Sequence, residues 1–224
     1  MNSELQVSVI IPIFQSSATL SRALDSISDS SAIGKGICVE VILVFDGPDE
    51  GSQYIAECFA KNSKIETQIL HQLHAGVSSA RNLGIQSARA RFLTFLDADD
   101  EVTPERFSLV SQEFDGLLIG RQRVVFDSPS DLPAGIASPT ESPSHYFNSV
   151  VAPKDTICQL GGFDPSLPFG QDVDLVVRAR RTGFHVQLVD EVTTIRHITG
   201  RNASLDITGA RQDLLKSLTK TTGT

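Results

Sequence analysis

The sequence predicts an α/β fold: a doubly wound, mostly parallel central sheet with helices on both faces. Three observations carry this. Apolar, β-branched runs alternate with segments of helical spacing through the first half of the chain. The first two runs, VSVIIPIF from Val7 and VEVILVF from Val39, are almost uninterrupted, as strands covered on both faces are. Pro12, Asp46, Asp97 and Asp99 stand at or just past strand ends, where open α/β sheets bind ligands.

The elements follow in order. Val7–Phe14 reads as the first strand, and Leu20, Ala23, Leu24 and Ile27 give a helix its apolar face. Val39–Phe45 is the second strand, broken by the turn residues of FDGPDEG. A helix is expected over Glu50–Ala60 and an alternating third strand over Ile65–Gln72. The next helix, Val77–Ala88, lines up Ala80, Gly84 and Ala88, a small face suited to close packing on a sheet. Arg91–Leu96 is the fourth strand, and Thr103 with Pro104 has the form of a helix start. A further strand is expected to end at Phe126. The Pro- and Ser-rich stretch 127–144 reads as a flexible loop. Ser149–Pro153 reads as a strand and KDTICQL as a short helix. In GQDVDLVVRARRTG, Val173, Val176, Val177 and Arg180 are expected on one helix face, with Gly183 as C-cap. FHVQLVD is a late strand. A C-terminal helix with Leu214, Leu215 and Leu218 inward, then a polar tail, is expected over 207–224.

Composition narrows the function classes. The 224 residues are 40% hydrophobic and carry a net charge of −8, with no basic stripe, so no nucleic-acid partner is expected. Cys38, Cys58 and Cys158 have neither disulfide-framework nor zinc spacing, which suits reduced thiols in a cytosolic protein. The first apolar run is too short for a signal peptide or a membrane span.

The stretch RFLTFLDADDEVTP places Asp97, Asp99, Asp100 and Glu101 within five residues. Asp97 and Asp99, two apart in an extended turn, can share a hard divalent cation that offsets their repulsion. The plain alternative is a solvated acidic turn opening the next helix. An EF-hand loop from Asp97 would need Gly at Val102 and Glu at Ser108, so it is excluded. A haloacid-dehalogenase-type phosphatase would want Thr or Val where Glu101 stands, and its motif near the N-terminus.

Six stretches in order resemble family 2 glycosyltransferases of the GT-A, Rossmann-like fold: VSVIIPIFQSSATLSRALDSI, VILVFDGPDEGS, HAGVSSARNLGI, RFLTFLDADDEVTP, GGFDPSLPFGQDVDLVVRARRTG and IRHITGRNAS. The resemblance spans about Val7–Ser204. It implies an inverting transferase that moves a sugar from a nucleotide-diphosphate donor to a sugar, lipid-linked or protein-linked acceptor, with Mn²⁺ or Mg²⁺ as cofactor. It implies a single GT-A domain over 1–206, with a nucleotide-sugar and metal half at 1–100 and an acceptor half at 101–206. The loop at 127–144 would close over the substrate. Polysaccharide or glycoconjugate biosynthesis is the expected setting. The expected location is the cytoplasm, with peripheral association at the cytoplasmic membrane face left open.

The resemblance also assigns residues. Asp99 matches the metal-ligand carboxylate. Asp97, with Ala98, matches the segment near the donor ribose and sugar. Pro12, Ile13 and Phe14 match the first-strand loop against the nucleotide. Arg81 and Asn82 match a segment near that nucleotide. Asp172 matches the catalytic base, and His197 a late histidine that holds metal or diphosphate in some members. Such chemistry needs one carboxylate to take the acceptor's proton and others to hold a cation at the leaving diphosphate. Spacing alone does not separate Asp172 from Asp174, either of which suits a helix N-terminus. For His197 a satisfied strand histidine is an equal reading, and Arg81 reads equally as a surface charge. Two positions depart from the family. Phe45 replaces the first of two acidic residues after the second strand, so either Asp46 takes over its place at the base or base recognition differs. Gln171 replaces the Glu before the base. They support the alternative of a weakened or inactive relative that binds a nucleotide-sugar or glycan, or acts as a scaffold.

Overall fold

The computed structural model describes residues 6–30, 36–110, 114–128, 139–143, 147–167 and 169–198. The expected helix over 207–224 lies outside them, as does most of 127–144. Four parallel strands open the chain: β1 (Val7–Ile13), β2 (Val39–Asp46), β3 (Glu66–Gln72) and β4 (Phe92–Phe95). They order as β3-β2-β1-β4, with α1 (Leu20–Ser28), α2 (Glu50–Asn62) and α3 (Val77–Ser87) between them. β1 runs parallel to both β2 and β4, so the ends of these three strands form one rim.

β1 and β2 are buried because they face two cores. Val9, Ile11 and Ile13 pack with Leu20, Leu24 and Ile27 of α1 and Ala56 of α2. Ile10, Ile42 and Val44 pack on the opposite face with Ala80 and Ile85 of α3. The small face of α3 has its expected use: a Cβ at Gly84 would come within 2.4 Å of the Ile10 side chain.

Past β4 the sheet continues as β8-β6-β9-β5: β8 (Val150–Pro153), β6 (Gly116–Phe126), β9 (His185–Ile198) and β5 (Glu101–Val102). β8 and β5 run antiparallel to their neighbours, while β6 and β9 are parallel. The late strand is twice its expected length, because after a bulge near Gly120 its second half pairs Val192–Ile198 with Arg121–Phe126. Gly120 is needed there, since a Cβ would lie 2.2 Å from the Thr193 hydroxyl.

One expectation is corrected and two are refined. Within 127–144, Thr140–Pro143 form β7, antiparallel to β6, and Glu141 meets Arg123 at 2.9 Å. Pairing occupies an edge that β6 would otherwise expose. In α6 (Gln171–Arg181) the buried residues are Asp172, Asp174, Leu175 and Ala179, whereas Val173, Val177 and Arg180 are less covered. Ion pairs below explain why carboxylates are buried there. At α4 (Pro104–Ser108), Thr103 makes no side-chain cap; its hydroxyl donates to the Val192 carbonyl at 2.6 Å.

At the opposite end of the parallel strands, Glu40 is fully buried. It accepts from Ser8 Oγ at 2.6 Å, Arg89 N and Nη2 at 2.7 Å and Gln68 Nε2 at 2.9 Å, tying the α3–β4 turn to β1 and β2. Burial raises its carboxyl, but the hydrogen bonds from Ser8, Arg89 and Gln68 outweigh burial and hold it below 4.5. A carboxyl lowered in the fold stabilises above its unfolded value and loses that contribution as pH falls through its folded one. Glu40→Gln is therefore expected to cost about 1–3 kcal/mol in urea unfolding at neutral pH. The cost should shrink as the pH is taken below 4.5.

Candidate active site

The acidic turn leaves β4 at the rim. Leu96 N donates to the Ile10 carbonyl at 3.1 Å, extending the ladder, and Asp100 N closes the turn on the Asp97 carbonyl at 3.1 Å. Ala98 is buried in the α1-side core, which anchors the turn from below. Asp97 is about one-third exposed. Burial, and then the neighbouring Asp97 charge, push the Asp99 carboxyl up to about 6. Below the turn, the fully buried Arg106 donates to the Phe95 carbonyl at 2.7 Å and the Thr193 carbonyl at 3.0 Å, and to the Thr194 hydroxyl. Burial draws its guanidinium down to about 9, although the Asp100 and Asp97 charges favour the cation.

Arg81 is the centre of the arrangement. It is buried, so the surface-charge reading is excluded. Nη1 donates to Asp172 Oδ1 and Nη2 to Asp97 Oδ1, both at 2.9 Å. Its guanidinium carbon lies 5.1 Å from the centroid of the Phe163 ring. Burial works against the cation, but the Asp172 and Asp97 charges prevail and raise Arg81 above its ordinary value. One planar fork therefore joins the turn after β4 to the start of α6, 91 residues away from Arg81 in sequence.

The same contacts separate Asp172 from Asp174. Asp172 meets Arg81, whereas Asp174 pairs with Arg178 on its own helix at 2.6 Å. Arg178 in turn donates to the carbonyls of Leu160 and Gly162. Asn82 clamps the Phe163 peptide. Its Nδ2 donates to Phe163 O at 2.8 Å and its Oδ1 accepts from Phe163 N at 2.9 Å.

At the nucleotide rim, Pro12 is partly covered and Ile13 is buried in the core. Phe14 is half exposed and stacks on His74 with centroids 4.4 Å apart. Phe45 is buried and stacks on His71 at 5.1 Å. Asp46 turns inward. Its Oδ1 accepts from Gln72 Nε2 at 2.8 Å and Ala75 N at 2.7 Å, and its Oδ2 from Gly76 N at 2.9 Å, with His74 Nδ1 at 3.0 Å. That carboxylate fastens the turn into α3, and both its oxygens are engaged.

His197 lies between two carboxylates: Nδ1 is 2.5 Å from Asp127 Oδ1 and Nε2 is 2.6 Å from Glu101 Oε1. Among the described residues no group of three or more His, Cys, Asp or Glu is arranged to hold a metal. Hard cations such as Mg²⁺ are commonly held by one or two carboxylates plus substrate phosphates, and Asp97 and Asp99 are the carboxylates that the turn after β4 offers at the rim. Sequence reasoning missed His74, Phe163 and Asp127. Only Asp127 left a signal, as the charged residue directly after a predicted strand.

Comparison with known proteins places the fold first. The chain superposes on Staphylococcus aureus TarS 1-349 in complex with UDP-GlcNAc with a TM-score of 0.70 and 15% identity, over 90% of this chain and 61% of that one. The fold is thus that of the GT-A glycosyltransferases. The family model Glycosyl transferase family 2 matches residues 8–141, and the chain belongs to that family. It is 36% identical over 107 residues to the uncharacterized glycosyltransferase YibD of Escherichia coli (strain K12), 48% of this chain and 30% of that protein. It is 34% identical over 108 residues to the minor teichoic acid biosynthesis protein GgaB of Bacillus subtilis (strain 168), 48% of this chain and 12% of that protein. The matched region takes in less than a third of either relative. No described helix is long and apolar enough to cross a membrane.

Proposed function

We propose that the chain is an inverting glycosyltransferase that moves a sugar from a nucleotide-diphosphate donor to an acceptor hydroxyl in polysaccharide or glycoconjugate assembly. The observation that carries this reading is the Arg81 fork, which holds Asp97 and Asp172 at one point on the rim. Family membership and the likeness to a protein solved with UDP-GlcNAc support a nucleotide-sugar donor.

The chemistry follows from the side chains. Asp172 takes the proton of the attacking hydroxyl. Arg81 orients its carboxylate and favours the ionised form. Attack from the face opposite the leaving group inverts the anomeric carbon. Asp99, with Asp97, would hold Mn²⁺ or Mg²⁺, which when bound supplies positive charge at the leaving diphosphate. Phe14, stacked on His74, offers the base an aromatic surface, while the saturated Asp46 keeps the turn into α3 in place. Gln171 brings a buried Oε1, with no hydrogen-bond partner among the described residues, to the start of α6.

A thermal-shift panel of nucleotide-sugars with and without Mn²⁺, followed by a nucleotide-release assay with the best binder, tests this. A ligand at a hundred times its dissociation constant adds about 2.7 kcal/mol, which in a chain of this size is about 5–10 °C. A cation-dependent shift accompanied by release is expected. A shift without release or transfer would favour a binding or scaffold protein, and no shift with any donor would overturn the reading.

A further inference from the structure

A closed circuit of side chains surrounds the acidic turn and takes no part in the chemistry above. Arg22, on α1, donates from Nη2 to the Asp99 carbonyl at 2.8 Å and from Nη1 to Asp127 Oδ2 at 3.1 Å. The other Asp127 oxygen meets His197 Nδ1, and His197 Nε2 meets Glu101. The His197 backbone N–H donates to Asp100 Oδ1 at 3.0 Å, and Asn148 Nδ2 donates to Asp100 Oδ2 at 2.5 Å. Ser26, one turn beyond Arg22, accepts from Val102 N at 3.0 Å. Asp99, Asp100, Glu101 and Val102 are thus each gripped from outside the turn, by α1 and by the ends of β6 and β9.

His197 is held at both ring nitrogens, by Asp127 and by Glu101, so its ring links the end of β6 to the acidic turn. Arg22 is suited to its place by its shape. Its planar fork spans a backbone carbonyl and a carboxylate at once, which a lysine point charge does not.

Building on the cation site of the proposed function, we infer that Arg22, Asp127 and His197 are positioning residues that fix the Asp99 backbone and so set the affinity of that site. Groups that orient metal ligands in this way typically change affinity about 10–100-fold when removed.

Mn²⁺ binding, read by electron paramagnetic resonance with UDP present, is the test, with hydrogen exchange over 97–101 measured alongside. Arg22→Met and Asp127→Asn are expected to weaken Mn²⁺ about 10–100-fold and to speed exchange in that segment, leaving metal-free UDP binding unchanged. Arg22→Lys should recover part of the loss. Glu40→Gln, destabilised from the far end of the parallel strands, should bind Mn²⁺ as the wild type does; if it weakens to the same degree, the effect is general destabilisation and the inference falls. Wild-type Mn²⁺ affinity in Arg22→Met would overturn it. So would a directly bound nitrogen in the electron spin echo of the Mn²⁺ complex that disappears in His197→Gln. If the wild type binds no Mn²⁺, the cation part of the proposed function fails. The exchange data then judge the circuit by themselves, and unchanged protection in Arg22→Met rejects it.

Discussion

Asp172→Asn is expected to lower kcat for sugar transfer by about 10²–10⁴-fold, the range that a positioned general base supplies, with donor affinity nearly unchanged. The substitution is mild in structural terms. Asn keeps an oxygen where Asp172 Oδ1 receives Arg81 Nη1, so the link to α3 survives. What is lost is the charge that accepts a proton. A fall in kcat with little change in donor KM is therefore the signature, since the base acts in the transition state and not on the bound donor. Asp174→Asn is the matched comparison, two residues along the same helix and equally buried. Its partner Arg178 braces the Leu160 and Gly162 carbonyls, so its loss should appear as stability, about 1–3 kcal/mol in urea unfolding, with kcat close to wild type. Steady-state kinetics and unfolding on both variants separate the two carboxylates. Wild-type turnover in Asp172→Asn would remove Asp172 from the reaction.

The parallel half of the fold was legible because β1, β2 and β4 bury both faces. Continuous apolar runs then mark strands, and helical spacing between them marks crossovers. The second half was harder for particular reasons. β9 continues beyond FHVQLVD through VTTIRHI, which carries Thr, Arg and His where a buried strand would carry apolar residues. Two of its polar side chains are satisfied by the strand's partners: Thr194 Oγ1 donates to the Asn148 carbonyl and accepts from Arg106, and His197 joins the circuit. On α6 the spacing puts Val173, Val176, Val177 and Arg180 on one face, but it does not show that Asp172 and Asp174 are buried, each with an arginine. In the site, motif order gave Asp97, Asp99 and Asp172 as residues but not their arrangement. That Arg81 faces two of them at once depends on where α6 docks against α3, a tertiary fact without sequence spacing. Nor could the sequence tell that the Asp46 carboxylate is occupied, because its donors Ala75 and Gly76 are backbone amides.

Arg81→Met is expected to cost about 3–5 kcal/mol, because it strips the partner from the buried Asp172 and from Asp97 beside it. In a chain of this size that is a fall of about 6–20 °C in Tm. Methionine keeps much of the bulk above Phe163, so the loss measures charge and hydrogen bonding more than a cavity. Arg81→Lys should recover little, since one ammonium does not reproduce two hydrogen bonds directed to Asp97 and Asp172 from opposite tips of a fork. Activity alone would not reveal the reason, because both variants should lose it. The decisive comparison is the double variant Arg81→Met with Asp172→Asn. Removing the carboxylate that the first change leaves unpaired should restore part of the stability, a coupling of the size contacting residues show, about 0.5–3 kcal/mol, while transfer stays at the level of Asp172→Asn. Stability that recovers without activity places the structural cost in the ion pair and the chemistry in the carboxylate. Strictly additive losses would mean that Arg81 and Asp172 do not act as a pair, and the link between the donor and acceptor sides of the rim would have to be sought elsewhere.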